Sequence, residues 1–302
     1  MRTRTGASTR RTGIDQKTGK SWTKVKSWFG YGLHLIADTH YEIPVAARVT
    51  PASHSESVEL SAMIKKLFAE ELGLAERCAD FSADRGLDSA NPKKTLWDDY
   101  GIRPLVDTRL LWRDEKALPD YDPSQPILRP LYTERVDTVL QSEKGEVIGR
   151  CPATGEERPM AFSGFESDRR TLKYRCPAAT YDLTCKGQAA CYRNAGCQAG
   201  EYGRVVRIDL NTADRRIFTP TPHGSPSWRR GYVRRNALER INARLDNSFG
   251  FERHYIRGKA AMTTRVGLAL SIMMALALGH VLAGRPGQMR SLVGAVPFRD
   301  TG

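Results

Sequence analysis

An apolar run, Val266–Ala283, constrains the fold more than any other stretch of the chain. Among its 18 residues only Ser271 and His280 are polar. A transmembrane helix needs roughly 17–25 such residues, but a helix that is apolar all round can equally be buried in a protein core. Arg265, directly before the run, and the small Gly and Ala residues within it fit burial. The run therefore predicts a long helix that is either buried or membrane-spanning.

The charge of the chain favours a polyanionic partner. Its 302 residues include 47 Lys and Arg against 34 Asp and Glu, a net charge of +13. Such a balance favours nucleic acid, with an anionic membrane surface as the competitor. Residues 1–26 carry eight basic side chains and no apolar segment typical of a signal peptide. Six cysteines in a chain of this length do not indicate a secreted disulfide scaffold, so we expect a cytoplasmic protein associated with the nucleoid.

The stretch Trp228–Lys259 combines helical periodicity with strong positive charge. Its apolar residues recur at helical spacing: Val233, Ala237, Ile241 and Leu245. A second face collects Tyr232, Arg235, Glu239 and Asn242. Nine basic residues against three acids could hold a phosphate backbone, and a carboxylate among them could hold Mg²⁺. The alternative is a basic surface helix in which Glu239 pairs with Arg235 at i,i+4.

Tyr232, Arg235 and Glu239 reproduce the spacing Y-x2-R-x3-E. This resembles the signature helix of the DDE transposases of bacterial insertion sequences, Y-x2-R-x3-E-x6-K. Asp246 stands where the family has its lysine, so three of the four positions match. The resemblance recurs in order along the chain. Residues 26–52 predict two strands, about 28–37 and 43–50, joined by a turn at 38–40, and they resemble the family's W-F-G-Y-K-L-H-L and V-T-P-A segments.

The following residues predict a helix, a strand and a carboxylate. Residues 55–72 have amphipathic helical spacing, with Gly73 as the helix stop. A short strand at 78–83 then ends at Asp84, in a segment that resembles the family's A-D-K-G-Y-D-S. Asp84 is either a metal ligand, as the resemblance implies, or a turn or N-cap aspartate. Asp88 is assigned to capping, and residues 101–107 predict another strand, which resembles the family's G-I-x-P-x-x-D.

Residues 112–225 separate these strands from the signature helix and predict a β-rich insertion. The region is rich in Pro and Gly, with short alternating segments such as 204–209. Five of the six cysteines lie there. Four thiolates, those of Cys151, Cys176, Cys185 and Cys191, could bind a structural zinc. Because no C-x2-C pair is present, ordinary buried cysteines are the default.

The resemblance implies an α/β fold: a ribonuclease-H-like mixed sheet flanked by helices, with a β-rich insertion before the last catalytic helix. The resemblance also favours burial of the apolar run Val266–Ala283 in the core, so we expect no contact with a membrane. The expected divisions are a basic flexible arm at 1–24, the first part of the core at 25–111, the insertion at 112–225, the second part of the core at 226–285 and a tail at 286–302.

The resemblance further implies two divalent metals, Mg²⁺ or Mn²⁺, held by carboxylates, with Asp84 and Glu239 as catalytic residues and metal ligands. The side chains expected to contact DNA phosphates are Tyr232, Arg235, Arg240 and Arg244. The partners would be transposon end repeats and target DNA, bound by a homodimer. His34 is expected to be a satisfied strand histidine.

The family's first carboxylate has no clear counterpart. Asp15 lies in a turn-like sequence, and Asp38 occupies the position of a turn aspartate of the family. We therefore expect the chain to begin inside the family domain and to bind DNA without cutting it unaided. Two alternatives remain open: a non-catalytic basic DNA-binding protein, and a protein anchored in a membrane by its apolar run.

Overall fold

A computed structural model describes residues 6–14, 18, 20–109, 111–116, 121–122, 124–132, 139–151, 154–181, 204–251 and 255–292. The chain divides into two compact units. Unit 1 comprises residues 1–70 and 234–302, and unit 2 comprises residues 71–233. Helices and strands both contribute throughout, so the fold is mixed α/β.

The strands of unit 1 are β1 Gly6–Ile14, β2 Ser21–Phe29, β3 Tyr31–Asp38 and β4 Ile43–Pro51, and its helices are α1 Glu56–Glu70, α7 Asn236–Ser248 and α8 Lys259–Leu282. The strands of unit 2 are β5 Asp80–Ala83, β6 Arg103–Val106, β7 Leu128–Pro130, β8 Val139–Ser142, β9 Val147–Arg150, β10 Glu157–Pro159, β11 Ala161–Glu166, β12 Thr171–Arg175 and β13 Val205–Asp209. Its helices are α2 Leu72–Arg77, α3 Ala90–Lys94, α4 Arg113–Lys116, α5 Pro177–Thr180 and α6 Pro226–Tyr232.

The first two strands form a long antiparallel hairpin. Its register runs from Gly6 opposite Phe29 to Ile14 opposite Ser21. Most of this hairpin lies where the sequence predicts an irregular basic arm, so that prediction is wrong for residues 6–14 and 21–24. The reason is that threonines and single apolar residues supply β-propensity without the apolar alternation from which a strand is usually recognised.

A second hairpin, β3–β4, confirms the two strands predicted for residues 28–50. The pair is antiparallel from Tyr31 opposite Pro51 to Asp38 opposite Ile43. The Asp38 carboxylate closes the turn by accepting from the backbone N–H groups of His40, at 2.9 Å, and Tyr41, at 2.7 Å. Asp38 is therefore a turn aspartate, as the sequence predicts.

The helix after this hairpin ends earlier than predicted. Helix α1 stops at Glu70, and Gly73 lies inside α2 and does not terminate a helix. The break falls at Glu71, the residue that precedes α2. Helix α1 therefore covers nearly all of the predicted helix, and α2 is a separate short helix that follows it.

The core of unit 1 lies between α8, α7 and the β3–β4 hairpin. The residues of α8 that face it recur at helical spacing: Met262, Val266, Ala269, Met273, Ala277 and His280. Of these, Ala269 and Met273 pack with Ile241 and Leu245 of α7, and Met262 and Val266 pack with Val49 of β4.

Helix α8 is buried on that one face alone. The large apolar side chains on its other side are exposed: Leu268, Ile272, Met274, Leu278, Val281 and Leu282. The prediction of a helix buried all round is therefore wrong for this side, because the described residues of the unit cover only one stripe of it. Within the described part of the chain α8 also has the length and hydropathy to cross a membrane, a test that core helices of soluble proteins pass as well.

In unit 2, β5 and β6 form a parallel pair that supports α6. Asp80 lies opposite Arg103, and Ala83 lies opposite Val106. Helix α6 approaches this pair at Gly231, where a Cβ atom would come within 2.2 Å of the Leu105 side chain. Only glycine allows this close approach, so Gly231 fixes the position of α6 on the two strands.

The rest of unit 2 contains two antiparallel sheets, in the order β10-β9-β8-β7 and β11-β12-β13. Both lie in the region predicted to be a β-rich insertion. They share one core, which includes Trp112, Val147, Leu172, Tyr174 and Leu210. The described part of the insertion therefore has an apolar core of its own.

Candidate functional site

Two carboxylates lie at the carboxyl end of the parallel pair in unit 2. Asp84 directly follows β5, and Asp107 directly follows β6. Because neighbouring parallel strands end at the same edge of a sheet, such positions place side chains side by side in open α/β sheets. This edge is the candidate site, and its residues have distinct surroundings.

Asp84 is exposed and caps the short 3₁₀ turn Arg85–Leu87. Its Oδ1 atom accepts from the backbone N–H of Arg85 at 2.6 Å. The capping role that competes with metal binding in the sequence is thus present. No other hydrogen bond of this carboxylate occurs among the described residues, so its Oδ2 atom remains open to a ligand.

Asp107, in contrast, has both carboxylate oxygens occupied. Its Oδ2 atom accepts from Nε of Arg85, and its Oδ1 atom lies 2.9 Å from Nε2 of His223 and 2.9 Å from the backbone N of Thr108. Partial burial alone would raise the pKa of Asp107, but the hydrogen bonds from Arg85 and His223 outweigh it and lower the pKa. The same ion pair raises the pKa of Arg85. Asp107 is therefore a charged anchor for two neighbouring side chains.

An aromatic column continues from His223 into α6. The His223 and Trp228 rings are 4.2 Å apart, and Trp228 stacks on Tyr232 at 4.4 Å. Pro226 at the first turn and the Ser225 hydroxyl, which accepts from the Trp228 N–H at 3.2 Å, start the helix at this point. Burial lowers the pKa of His223, against the opposing effect of Asp107. Tyr232 lies close enough to Arg85 to interact with it electrostatically.

A buried ion pair supports the loop that carries Asp84. The Asp88 carboxylate accepts from Nζ of Lys93 at 2.7 Å and from the backbone N–H of Arg109 at 2.8 Å. Arg109 in turn donates to the carbonyl oxygens of Arg85 and Gly86, at 2.7 and 2.8 Å. The sequence assigns Asp88 to capping. Asp88 does lie at the C-cap of the 3₁₀ turn Arg85–Leu87, and its carboxylate in addition pairs with the buried lysine five residues on.

Arg235 and Glu239, the other two signature residues, lie in unit 1. Arg235 lies in the 3₁₀ turn Val233–Arg235, and Glu239 lies in the first turn of α7. The two side chains form an i,i+4 ion pair at 3.0 Å, and the Glu239 side chain is 60% exposed. The simple surface pairing is therefore present, and the carboxylate remains accessible to solvent.

Arg240 and Arg244 both contact a buried carboxylate. Glu42, at the turn before β4, accepts from Nε of Arg240 at 2.6 Å and from a terminal nitrogen of Arg244. Arg244 is mostly buried and donates also to the carbonyl oxygen of Arg290 at 2.7 Å. Burial lowers the pKa of Arg244. Arg240 and Arg244, which the sequence predicts to bind phosphate, thus form ion pairs within unit 1. Of these two, only Arg240 has a largely exposed side chain.

The predicted histidine and cysteine sites have different outcomes. His34 on β3 is a satisfied strand histidine, as predicted, with Nε2 2.8 Å from the Thr50 hydroxyl. Cys151 and Cys176 are half-buried, while Cys185 and Cys191 lie outside the described residues. No group of three or more His, Cys, Asp or Glu side chains able to hold a metal occurs in the described part of the chain. The zinc site stays a prediction.

Sequence reasoning missed the Asp107–His223 pair. Asp107 carries a usable signal, since it is the last residue of the strand predicted at 101–107, and Asp84 likewise stands at the end of a predicted strand. His223 carries none, because it is 116 residues from its partner and precedes a helix in a Pro-rich segment.

Comparison with protein families gives a match that covers most of the chain. The family model of the transposase DDE domain matches residues 4–275. The chain therefore belongs to the transposase DDE domain family. No curated protein and no solved structure matches it significantly.

Proposed function

We propose that this protein is an insertion-sequence transposase that binds DNA and acts on its phosphodiester bonds with divalent metal ions. The family match over residues 4–275 carries this proposal. It is supported by the position of Asp84 after β5 and by the spacing of Tyr232, Arg235 and Glu239. The net charge of +13 fits a DNA partner.

Asp84 and Glu239 are the proposed metal ligands. Mg²⁺ and Mn²⁺ prefer oxygen donors, and each of these carboxylates is solvent-accessible with oxygen capacity to spare. Asp107 does not fit this role, because Arg85, His223 and Thr108 occupy both of its oxygens. When bound, the metals would supply an activated hydroxyl nucleophile and stabilise the leaving oxygen.

The signature side chains are proposed to contact and orient DNA. Arg235 would give up part of its ion pair with Glu239 to bind a phosphate, for which a planar guanidinium is well suited. The Tyr232 hydroxyl would contact the backbone beside Asp84. Arg240 is a weaker candidate and Arg244 the weakest, because Glu42 already holds both.

The proposed fold is ribonuclease-H-like, as the resemblance to the family implies; among the described residues β3–β4 and β5–β6 are two separate strand pairs. The sequence offers no convincing counterpart of the family's first carboxylate. We therefore propose that the chain binds DNA but does not cleave it unaided. The proposed site of action is the cytoplasmic nucleoid.

A plasmid assay tests this function. Purified protein would be incubated with supercoiled plasmid in Mg²⁺ or Mn²⁺, while DNA retention is measured in parallel over a salt series. We expect salt-dependent DNA binding and no cleavage above the chelator control. Robust cleavage that E239Q abolishes would contradict the proposed inactivity but support the active-site assignment. Absence of DNA binding at low salt would contradict the transposase function itself.

A further inference from the structure

The carboxyl end of the β5–β6 pair contains a second basic group that the signature motif does not include. Arg85 directly follows Asp84, the proposed metal ligand, and its side chain is 64% exposed. Its Nε atom donates to Asp107. Among the described residues its two terminal nitrogens have no hydrogen-bond partner.

We propose that Arg85 binds a DNA phosphate beside Asp84, and that Asp107 and His223 are positioning residues that hold its guanidinium in place. This inference rests on the proposed function, which it extends by a phosphate contact. A guanidinium can use one edge for a carboxylate and keep its other N–H groups for a phosphate.

The anchor for Arg85 is held firmly. Asp107 is mostly buried and is fixed from its other side by the His223 ring and the Thr108 N–H. His223 is itself packed on the Trp228 ring. A side chain ordered before binding loses less conformational entropy when the ligand arrives. The arrangement therefore favours binding of an anion at a defined distance from Asp84.

The backbone of the Arg85 turn is fixed as well. Asp84 caps the turn, and the Arg109 guanidinium donates to the carbonyl oxygens of Arg85 and Gly86. Arg109 uses two of its N–H groups on these carbonyls and so supports the turn, while the Arg85 side chain is largely exposed.

The opposite end of the same two strands provides a matched control. Arg103, at the start of β6, donates from Nε to Asp80 at the start of β5, at 2.7 Å. Its side chain is also substantially exposed. The two Arg–Asp pairs have the same chemistry, but only the Arg85 pair adjoins the proposed metal ligand. A general loss of positive charge would affect both pairs equally, whereas a phosphate contact beside Asp84 involves Arg85 alone.

The test is the salt dependence of DNA affinity, measured by fluorescence anisotropy with a short labelled random-sequence duplex. Each phosphate contact contributes about 0.9 to the slope of log K against log salt. We expect R85A to reduce the magnitude of this slope by about 1. Raising the salt from about 50 to about 200 mM should therefore weaken DNA binding by R85A by a factor about 3.5 times smaller than the factor for wild type. R103A should keep the wild-type slope.

The positioning role is tested by a double-mutant cycle. R85A should reduce DNA affinity less in the D107N background than in wild type, because Asp107 no longer holds Arg85 in place. R85K should retain part of the affinity. D107N preserves the shape of the side chain, and circular dichroism verifies that each variant folds.

A wild-type slope in R85A, with normal binding by wild type, would overturn the inference while leaving the proposed function standing. Additive effects of R85A and D107N would overturn the positioning role alone. No DNA binding by wild type would mean that the proposed function had failed first.

Discussion

Lys93→Met should destabilise unit 2 strongly, because it removes the nearest cation of the buried Asp88 carboxylate and leaves only Arg216, at 3.5 Å. Lys93 and Asp88 are 1% and 0% exposed, and their Nζ and Oδ1 atoms are 2.7 Å apart. Lys93 also donates to the Arg216 carbonyl at 2.7 Å. Burial lowers the pKa of Lys93, against the opposing effect of Asp88. The pair is thus shielded from water, and the loss of one partner destabilises the protein most when the pair is buried.

Loss of one partner of a buried ion pair costs about 3–5 kcal/mol. With a urea m-value of about 2 kcal/mol/M, the unfolding midpoint of unit 2 should fall by about 1.5–2.5 M. Tryptophan fluorescence can report this transition, because Trp97 and Trp112 belong to the core of the unit. The measurement is made on the full chain.

A control for the loss of a lysine is Lys66→Met in unit 1, which breaks an exposed i,i+4 pair with Glu70 at 3.9 Å. Such a pair contributes about 0–1 kcal/mol, so its midpoint should hardly move. The double variant D88N/K93M removes both charges and should recover part of the loss. A K93M midpoint no lower than that of K66M would refute the assignment of Lys93 and Asp88 as a buried supporting pair.

Three further predictions concern stability. Leu172→Ala, at a fully buried position of the insertion core, should cost about 2–5 kcal/mol in denaturant unfolding; a loss below about 1 kcal/mol would contradict that core. Burial lowers the pKa of His223 in the folded protein, so the unfolded chain binds more protons between that pKa and about 6.5, and stability should fall as pH drops through this window. H223Q should remove this pH dependence of the urea midpoint. An H223Q profile identical to that of wild type would contradict the prediction. Glu42→Gln, which weakens the contacts with Arg240 and Arg244, should cost about 1–3 kcal/mol in thermal or urea unfolding, whereas an unchanged midpoint would show that the arginines do not depend on the pair.

Local sequence patterns predicted those parts of the fold that are formed by neighbouring residues. The β3–β4 hairpin follows from two strand-like segments around a turn, and its Asp38 caps that turn as expected. The amphipathic spacing of α7 likewise places Ile241 and Leu245 in the core. In these elements the residues that carry the signal also make the contacts, so the prediction needs no knowledge of distant partners.

Features that depend on distant partners were not predictable in this way. The β1–β2 hairpin forms by backbone pairing between largely polar strands. The Asp107–His223 contact joins residues that are far apart in sequence. Helix α8 is apolar around its whole circumference, so its sequence does not show that Ala269 is buried while Leu268 is exposed. Which side is covered depends on the hairpin and α7, which pack on one face.

The break within the signature stretch is a further case. Periodicity alone predicts a continuous helix from Trp228, but α6 ends at Tyr232 and a 3₁₀ turn precedes α7. Gly231 is required at the end of α6 by its approach to Leu105. The position of the break is thus set by packing on β6, which the helical period does not encode.

The proposed binding of divalent metal by Asp84 and Glu239 can be tested by measuring Mn²⁺ binding with electron paramagnetic resonance. D84N and E239Q should each weaken Mn²⁺ binding by at least about tenfold. Two controls match their surroundings: D214N alters an exposed turn aspartate that accepts a backbone N–H at 2.9 Å, and E70Q alters an exposed helical glutamate with an i,i+4 partner. Both controls should bind Mn²⁺ as wild type does. Wild-type binding by D84N and E239Q would contradict the proposal.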